Sequence, residues 1–263
     1  MRSRKVYSLE KSKISESVCD LLEKLSAAAI KKSGHFMVAF SGGSLPEIVA
    51  QGLVNPEKKR DIDFTKWWIF FSDERCVPHS SPDSNYNLVK TSILDKLYQL
   101  NKDTKNYIPK EQVIKINSKL VHDAELAADD YNSQLVKAFA SRETVRYPVF
   151  DCILLGVGPD GHTCSLFPHM PQLNVTDIWV TYINNSPKPP SSRITLTLPV
   201  VNDAHNVVFV ATGASKDTIM DSILNKNDKT LPSTNVNPIR GELFWFLDKD
   251  AAKLVNPNII SQL

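Results

Sequence analysis

The sequence of 263 residues has nine glycines and four cysteines, and none of its apolar runs approaches the length of a membrane span. A membrane-crossing helix needs about 18 successive apolar residues, so we expect no membrane association. Residues 1–10 contain basic side chains but no apolar segment, which predicts that there is no secretory signal. The cysteines are Cys19, Cys76, Cys152 and Cys164, and no two of them form a CxxC pair. This pattern is typical of an intracellular protein with reduced thiols, and we expect a cytoplasmic location.

The sequence also lacks a large excess of charge of one sign, because the formal net charge is +2. A chain so nearly neutral has no strong field to attract nucleic acid, so we expect no such partner. None of the six histidines has the HExxH spacing of a metal site, and no metal or other cofactor is predicted. A GxSxG nucleophile segment is absent too, which argues against a covalent serine mechanism.

Apolar periodicity predicts an α/β protein. Residues 12–32 and 121–140 have the spacing of helices with one apolar face. Continuous apolar runs of strand length occur at Phe36–Phe40, Trp67–Phe71, 149–157, 207–211 and 244–247. Strands of this kind are covered on both faces, and their alternation with helices indicates a parallel sheet. No boundary stands out, so we expect a single domain over residues 1–263.

Three segments depart from this pattern. Residues 193–198 alternate between apolar and polar side chains, which predicts a half-exposed strand that is antiparallel or at a sheet edge. Residues 184–192 contain three prolines and are either an ordered functional loop or a linker. Residues 226–240 are polar and interrupted by proline, which predicts a surface loop.

Ligands of open parallel sheets bind at the carboxyl ends of the strands, so the residues after each strand are the candidates for function. The first strand, Phe36–Phe40, is followed by Ser41, Gly42, Gly43 and Ser44. A Gly-Gly turn before a helix start is suited to cradle a phosphate, although a plain turn into a helix has the same pattern. Ser44 and Glu47 also have the spacing of a capping box.

Charged and polar side chains follow the next strand. Asp73 is a candidate base or hydroxyl acceptor, and Arg75 is a candidate ligand for a carboxylate or phosphate. Both residues equally fit a charged surface cluster. Asn85 begins a predicted helix, where its amide either caps the helix or contacts a sugar.

The strand at 149–157 leads into the most informative segment, a glycine-rich turn that contains Asp160 and His162. The ordinary pKa of histidine, near 6.5, suits proton transfer at neutral pH. Asp160 is placed to orient the imidazole, although a histidine bonded to backbone in a tight turn remains the alternative. Arg193 and Lys216 stand at the starts of further elements, where each fits either a phosphate or solvent.

These residues together resemble the 6-phosphogluconolactonases. The matching segments are Phe40-Ser41-Gly42-Gly43-Ser44, Ser72-Asp73-Glu74-Arg75, Ser84-Asn85-Tyr86, residues 155–163 (LGVGPDGHT), residues 187–190 (PKPP), residues 193–197 (RITLT) and residues 213–216 (GASK). They occur in order over about residues 35–220. The related glucosamine-6-phosphate isomerase/deaminases share several of these signals but read DGHIAFNE around the histidine, where this chain reads DGHTCSLF. Two departures are Cys164, where alanine is more frequent, and His169, where glycine is common.

The resemblance implies a three-layer α/β/α sandwich with a Rossmann-like, mostly parallel sheet and an antiparallel edge region. It implies that His162 is catalytic, that Arg193, Lys216 and the loop Ser41, Gly42, Gly43 and Ser44 bind phosphate, and that Asp73 and Arg75 lie in the pocket. The expected reaction is hydrolysis of 6-phospho-D-glucono-1,5-lactone to 6-phosphogluconate in the pentose phosphate pathway. The expected partner is this sugar-phosphate lactone, and the expected assembly is a monomer or weak homodimer.

The expected mechanism is general-base catalysis by neutral His162, which takes a proton from the attacking water and returns it to the ring oxygen. Either Asp160 fixes the tautomer of the ring or Asp73 helps to hold the water. Backbone N–H groups of a glycine-rich turn, or Arg75, stabilise the oxyanion. The alternatives are an isomerase or deaminase on the same scaffold and a non-catalytic sugar-phosphate-binding paralogue.

Overall fold

A six-stranded parallel sheet forms the centre of the fold in a computed structural model, which describes residues 4–140 and 145–262. The strands in chain order are β1 (Arg4–Leu9), β2 (Phe36–Phe40), β3 (Trp67–Phe71), β4 (Asp73–Arg75), β5 (Cys152–Leu155), β6 (Val180–Ile183), β7 (Arg193–Leu196), β8 (Asn206–Ala211) and β9 (Glu242–Asp248). The parallel sheet has the order β1-β9-β8-β5-β2-β3, and a small antiparallel sheet has the order β4-β7-β6.

Helices cover both faces of the parallel sheet. They are α1 (Lys11–Ser33), α2 (Leu45–Leu53), α3 (Asn85–Val89), α4 (Asp95–Asn101), α5 (Ala124–Phe139), α6 (Leu198–Asp203), α7 (Asp217–Met220) and α8 (Pro232–Asn235). Apolar residues of α1 to α4 pack on one face, and those of α5 to α7 pack with the small sheet on the other. The predicted three-layer α/β/α architecture is therefore confirmed. Within the described residues, no helix is both long and apolar enough to cross a membrane.

Strand β2 shows why the continuous apolar runs predicted buried parallel strands. Its residues Phe36, Val38 and Phe40 point into the core beneath α1 and α2, whereas Met37 and Ala39 point into the opposite core. Successive side chains of a strand alternate between the two faces of the sheet, so a strand covered on both faces must be apolar at every position. Each fully buried phenylalanine stabilises the fold by roughly 1.5–3 kcal/mol.

The predicted helices and strands are present, with adjusted ends. Helix α5 begins at Ala124 rather than near 121, because the carboxylate of Asp123 accepts hydrogen bonds from the N–H groups of Glu125 and Leu126 and caps the helix there. Apolar periodicity did not predict the strands β1, β4 and β6, because their mixed side chains have no clear period.

Two predictions about exposure are wrong. Strand β7 is antiparallel as expected, but Ile194, Thr195 and Leu196 are all buried. Its threonine is tolerated there because the Thr195 hydroxyl accepts a hydrogen bond from the N–H of Ser165 and donates one to a backbone carbonyl. The segment 226–240 is not only a surface loop, since it contains α8. In that helix the buried Ser233 donates both its N–H and its hydroxyl to the carbonyl of Gly161.

Candidate active site

A cavity of about 260 Å³ lies at the carboxyl ends of β2, β5 and β8. Its walls include residues 41–45 after β2, residues 156–159 after β5 and residues 210–212 at the end of β8, together with Asp73, Arg75, His162, Thr163, Cys164, Arg193 and Lys216. The sheet therefore brings most of the predicted site residues to one cavity, as parallel topology requires. Asn85 and Asp160 are the two predicted residues that do not line it.

The His162 imidazole is held by a tight turn. The N–H of Gly158 donates to the carbonyl of His162 at 2.9 Å, and the N–H of Gly161 donates to the carbonyl of Gly158 at 3.0 Å. Gly161 has a φ of +77°, a backbone conformation that favours glycine. The ring of Phe167 packs against the imidazole with a centroid distance of 4.6 Å. The turn and this aromatic contact together fix the orientation of the imidazole.

Asp160 holds the Nδ1 edge of that imidazole. Its Oδ1 lies 2.5 Å from His162 Nδ1, and the ammonium group of Lys188 donates to the same Oδ1 at 3.0 Å. No described residue hydrogen-bonds to His162 Nε2, whereas the ring itself lines the cavity. With Nδ1 donating to the carboxylate, Nε2 carries the lone pair that a general base needs.

The protonation states suit that role. Burial opposes ionisation of Asp160, but the hydrogen bonds from His162 and Lys188 outweigh it and lower the pKa of Asp160 to about 2. Burial is also the largest effect on His162, and it lowers the pKa of the imidazole despite the nearby Asp160 carboxylate. At neutral pH the pair is therefore a carboxylate and a neutral imidazole.

Asp73 is a buried part of the cavity wall and accepts hydrogen bonds from two serine hydroxyl groups. Its Oδ1 accepts from Ser41 Oγ at 3.0 Å, and its Oδ2 accepts from Ser165 Oγ at 2.8 Å. These bonds tie the loop after β2 to the segment that follows His162. Asp73 thus joins two walls of the cavity, and its carboxylate is also one of the charges near the imidazole.

Two guanidinium groups share one wall. Arg75 and Arg193 are paired in register between β4 and β7, and neither forms an ion pair with a described carboxylate at salt-bridge distance. Arg75 donates to the carbonyl of Asp83 at 2.8 Å, and its buried Nε has no hydrogen-bond partner among the residues that the structure describes. Burial, followed by the positive charge of Arg75, lowers the pKa of Arg193. Adjacent cations at a cavity wall favour binding of an anion between them.

Lys216 approaches the cavity from the turn after β8. The carboxylate of Asp248 accepts from the N–H of Gly213, whose φ of +93° opens the turn. Lys216 Nζ donates to the carbonyl of Val157 at 2.7 Å, and partial burial lowers the pKa of its ammonium group. This contact leaves two N–H groups of the ammonium for an anion.

The loop of Ser41, Gly42, Gly43 and Ser44 lines the cavity as the sequence predicts. The fully buried Asn85 lies directly behind it, where a Cβ added to Gly42 would come within 1.9 Å of Asn85 Oδ1. Asn85 Nδ2 donates to the carbonyl of Asp73 at 2.8 Å, so this side chain joins the start of α3 to β4 directly behind the loop. The predicted capping box does not form, because Ser44 adopts helical backbone angles and its side chain makes no cap bond.

Glu74 is buried, although the charged segment around it was also compatible with a surface cluster. Its carboxylate accepts from the backbone N–H groups of Arg75, Asn85 and Tyr86 and from the hydroxyl of Ser84. Burial raises the pKa of Glu74 to about 7 in spite of these donors. The carboxylate thus joins β4 to the start of α3 and supports the wall that carries Arg75.

Glu74→Gln is expected to lower the free energy of unfolding by about 1–3 kcal/mol. Each oxygen of Glu74 accepts from backbone N–H, so either orientation of the new amide places an NH₂ group against a buried donor. Urea unfolding measures the change, and the exposed Glu57→Gln is the matched control. A variant as stable as the control would show that the buried carboxylate does not support this wall.

Two contributors to the site were not selected from the sequence. Ser165, which bonds both Asp73 and Arg193, follows His162 in the glycine-rich segment but has no signal of its own. Lys188 lies in the proline-rich segment that was predicted to be either a functional loop or a linker, and a single lysine there is indistinguishable from a solvated charge. Cys164 lines the cavity, and burial strongly raises the pKa of its thiol, so the group is neutral and a poor nucleophile.

The chain matches known proteins over nearly its whole length. The family model described as glucosamine-6-phosphate isomerases/6-phosphogluconolactonase matches residues 9–245. A probable 6-phosphogluconolactonase from Schizosaccharomyces pombe is 43% identical, with 94% of each chain covered. The 6-phosphogluconolactonase of Rattus norvegicus is 42% identical, with 91% of this chain and 89% of that protein covered.

Solved structures agree with these sequence matches. The structure of 6-phosphogluconolactonase from Trypanosoma brucei has a TM-score of 0.79 and 25% sequence identity to this chain, and the match covers 97% of this chain and 99% of that one. Residues 9–245, which the family model matches, include every residue that lines the cavity. The chain therefore belongs to the glucosamine-6-phosphate isomerase/6-phosphogluconolactonase family.

Proposed function

We propose that this protein hydrolyses 6-phospho-D-glucono-1,5-lactone to 6-phosphogluconate in the oxidative branch of the pentose phosphate pathway. The observation that carries the proposal is the imidazole of His162, held at Nδ1 by Asp160, in the wall of a cavity that Arg75, Arg193 and Lys216 also line. A base and an anion site in one cavity fit a substrate with an ester at one end and a phosphate at the other. The names of the family members at 42–43% identity support the same reaction.

The proposed chemistry begins with a water molecule between His162 Nε2 and the lactone carbonyl carbon. Nε2 takes a proton as the water oxygen bonds to that carbon, and Asp160 stabilises the imidazolium that forms. The carbonyl oxygen becomes negative, and the cavity offers it Arg75 or the backbone N–H groups of the glycine-rich turn that follows β5. The bond from the carbonyl carbon to the ring oxygen then breaks, and the imidazolium returns its proton to that oxygen.

The phosphate holds the ester over the imidazole. Arg193, Lys216 and the loop of Ser41, Gly42, Gly43 and Ser44 are the proposed phosphate ligands, because all of them line the same cavity. Binding energy from this distant group positions the carbonyl for attack. The predicted cytoplasmic location and the predicted monomer or weak homodimer stay predictions.

The direct test generates the lactone in situ and follows its disappearance above the spontaneous rate. We expect the wild-type protein to accelerate hydrolysis and to release no ammonia from glucosamine 6-phosphate. Ammonia release without lactone hydrolysis would overturn the proposal in favour of an isomerase or deaminase. Binding of 6-phosphogluconate without turnover of either substrate would instead identify a non-catalytic paralogue.

Lys216→Met is expected to raise KM about ten- to a hundredfold with a smaller effect on kcat. The substitution retains most of the apolar stem but removes charge-assisted hydrogen bonds, each worth about 1.5–3 kcal/mol. Steady-state kinetics with the lactone as substrate measures the separate changes in KM and kcat. Lys31→Gln is the control, since Lys31 is exposed at the last turn of α1 on the opposite edge of the sheet. A fall confined to kcat would contradict a binding role for Lys216.

A further inference from the structure

The loop between β6 and β7 places a lysine against the proposed base. Lys188 Nζ lies 3.0 Å from Asp160 Oδ1 and 3.3 Å from His162 Nδ1, although Lys188 is more than 25 residues away in the chain. The side chain is only about a third exposed, at 36%. Lys188 and Asp160 do not line the cavity, whereas the imidazole does, so both charged groups act on the ring from outside the substrate space.

Arg193 fixes the loop that carries this lysine. Its Nη2 donates to the carbonyls of Lys188 and Pro189 at 2.9 and 3.0 Å, and its Nε donates to the carbonyl of Pro190 at 2.9 Å. Its Nη1 donates to Ser165 Oγ at 3.3 Å. Of the five N–H groups of a guanidinium, four are used in this way, and one on Nη1 remains for a ligand. The buried Arg193 therefore holds three successive carbonyls of the loop in place.

We propose that Lys188 is a positioning residue, which holds the Asp160 carboxylate against His162 Nδ1 and keeps the imidazole in the neutral form with Nε2 free. This inference rests on the proposed function, because it assigns how the base of that reaction is maintained. Lys188 itself does not touch the substrate. Its ammonium shares Oδ1 of Asp160 with the imidazole, so it weakens the pull of that carboxylate on the ring proton.

The charge balance around the ring explains why such a cation is needed. The charged groups that face His162 are Asp160, Lys188 and the more distant Asp73, and the ring of Phe167 covers one side. The two carboxylates favour the imidazolium, whereas Lys188 and burial favour the neutral ring. Removal of Lys188 leaves two carboxylates facing one imidazole, so the ring should hold its proton to a higher pH.

The test compares Lys188→Gln with Lys188→Arg. In Lys188→Gln the acid limb of the kcat/KM profile should move up by about one pH unit, because a like charge a few ångströms away is removed. Activity should fall about tenfold on that limb and remain close to wild type on the alkaline plateau. Lys188→Arg keeps the charge and should leave the limb within a few tenths of a unit. The Lys31→Gln variant again controls for a nonspecific change in charge.

A second measurement does not depend on turnover. The imidazole resonances of His162 in the free enzyme, assigned by their loss in His162→Ala, should titrate about one pH unit higher in Lys188→Gln than in wild type. An unmoved titration, an equal loss of activity at every pH, or the same shift in Lys188→Arg would each overturn the proposal that Lys188 keeps the imidazole neutral. A shifted titration in a protein that does not hydrolyse the lactone would support the contact of Lys188 with the ring and refute only the proposed reaction.

Discussion

His162→Ala should lower kcat for lactone hydrolysis by about 10²- to 10⁴-fold, the usual contribution of a general base. The expected loss is large because His162 is the imidazole at the cavity, with Nδ1 engaged by Asp160 and Nε2 unpaired among the described residues. KM should change much less, since the phosphate ligands are retained. Steady-state assays corrected for spontaneous hydrolysis measure the effect, with the exposed His122→Ala as the matched control.

His162 should also set the pH dependence of kcat/KM for lactone hydrolysis. A general base acts in its neutral form, and burial lowers the pKa of His162 from its ordinary value of 6.5. The acid limb of kcat/KM should therefore lie below pH 6.5 and disappear in His162→Ala. A wild-type limb well above that value, or a kcat unaffected by the substitution, would remove His162 from the mechanism.

Gly158→Ala should be nearly as damaging, although it adds only a methyl group and removes none of the proposed catalytic side chains. A Cβ at position 158 would lie 2.0 Å from His162 Nδ1 and 2.5 Å from Asp160 Oδ1, both far inside van der Waals contact. The imidazole and carboxylate must move apart to admit it. A displacement of about 1 Å in a reacting group can cost about 10²-fold, so we expect kcat to fall by at least that order.

Gly156→Ala separates this steric effect from a general intolerance of the turn. The same methyl group at position 156 would meet no atom within 4 Å. The imidazole resonances of His162 should therefore be displaced in Gly158→Ala and stay in place in Gly156→Ala, and urea unfolding confirms that both variants are folded. Full activity in Gly158→Ala would show that the close fit of this turn around His162 is not needed for catalysis.

His162→Ala and Gly158→Ala both act on the imidazole of His162, and many of the residues around this ring are close to it in the sequence. The turn that contains Gly158, Asp160 and His162 is contiguous, so the sequence alone indicated a histidine with an acidic neighbour at a strand end. The buried parallel strands were also predictable from the sequence, because a strand covered on both faces needs an apolar residue at every position. Parallel topology then predicted that the ends of β2, β5 and β8 meet at one edge, and the cavity lies there.

Contacts between distant segments were not predictable in this way. The family resemblance implies that Arg193 binds phosphate, and only the packing of β7 against the proline-rich loop shows that most of its donors hold backbone carbonyls. Asn85 was expected either to cap a helix or to contact sugar, and it lies buried behind Gly42. The alternating pattern predicted that Thr195 faces solvent. In the structure Thr195 is buried, as are its neighbours Ile194 and Leu196.

By itself, the sequence determined the α/β class, the parallel core strands, the edge of the sheet at which the cavity lies and the histidine that lines this cavity. These features follow from short-range patterns, since the period of apolar residues and the residues of a turn are read along one continuous segment. The tertiary structure alone decided that Lys188 meets Asp160 and that Glu74 is buried under α3. Each of those contacts joins segments whose separation in the chain says nothing about their distance in space, so only the packing of the layers could determine them.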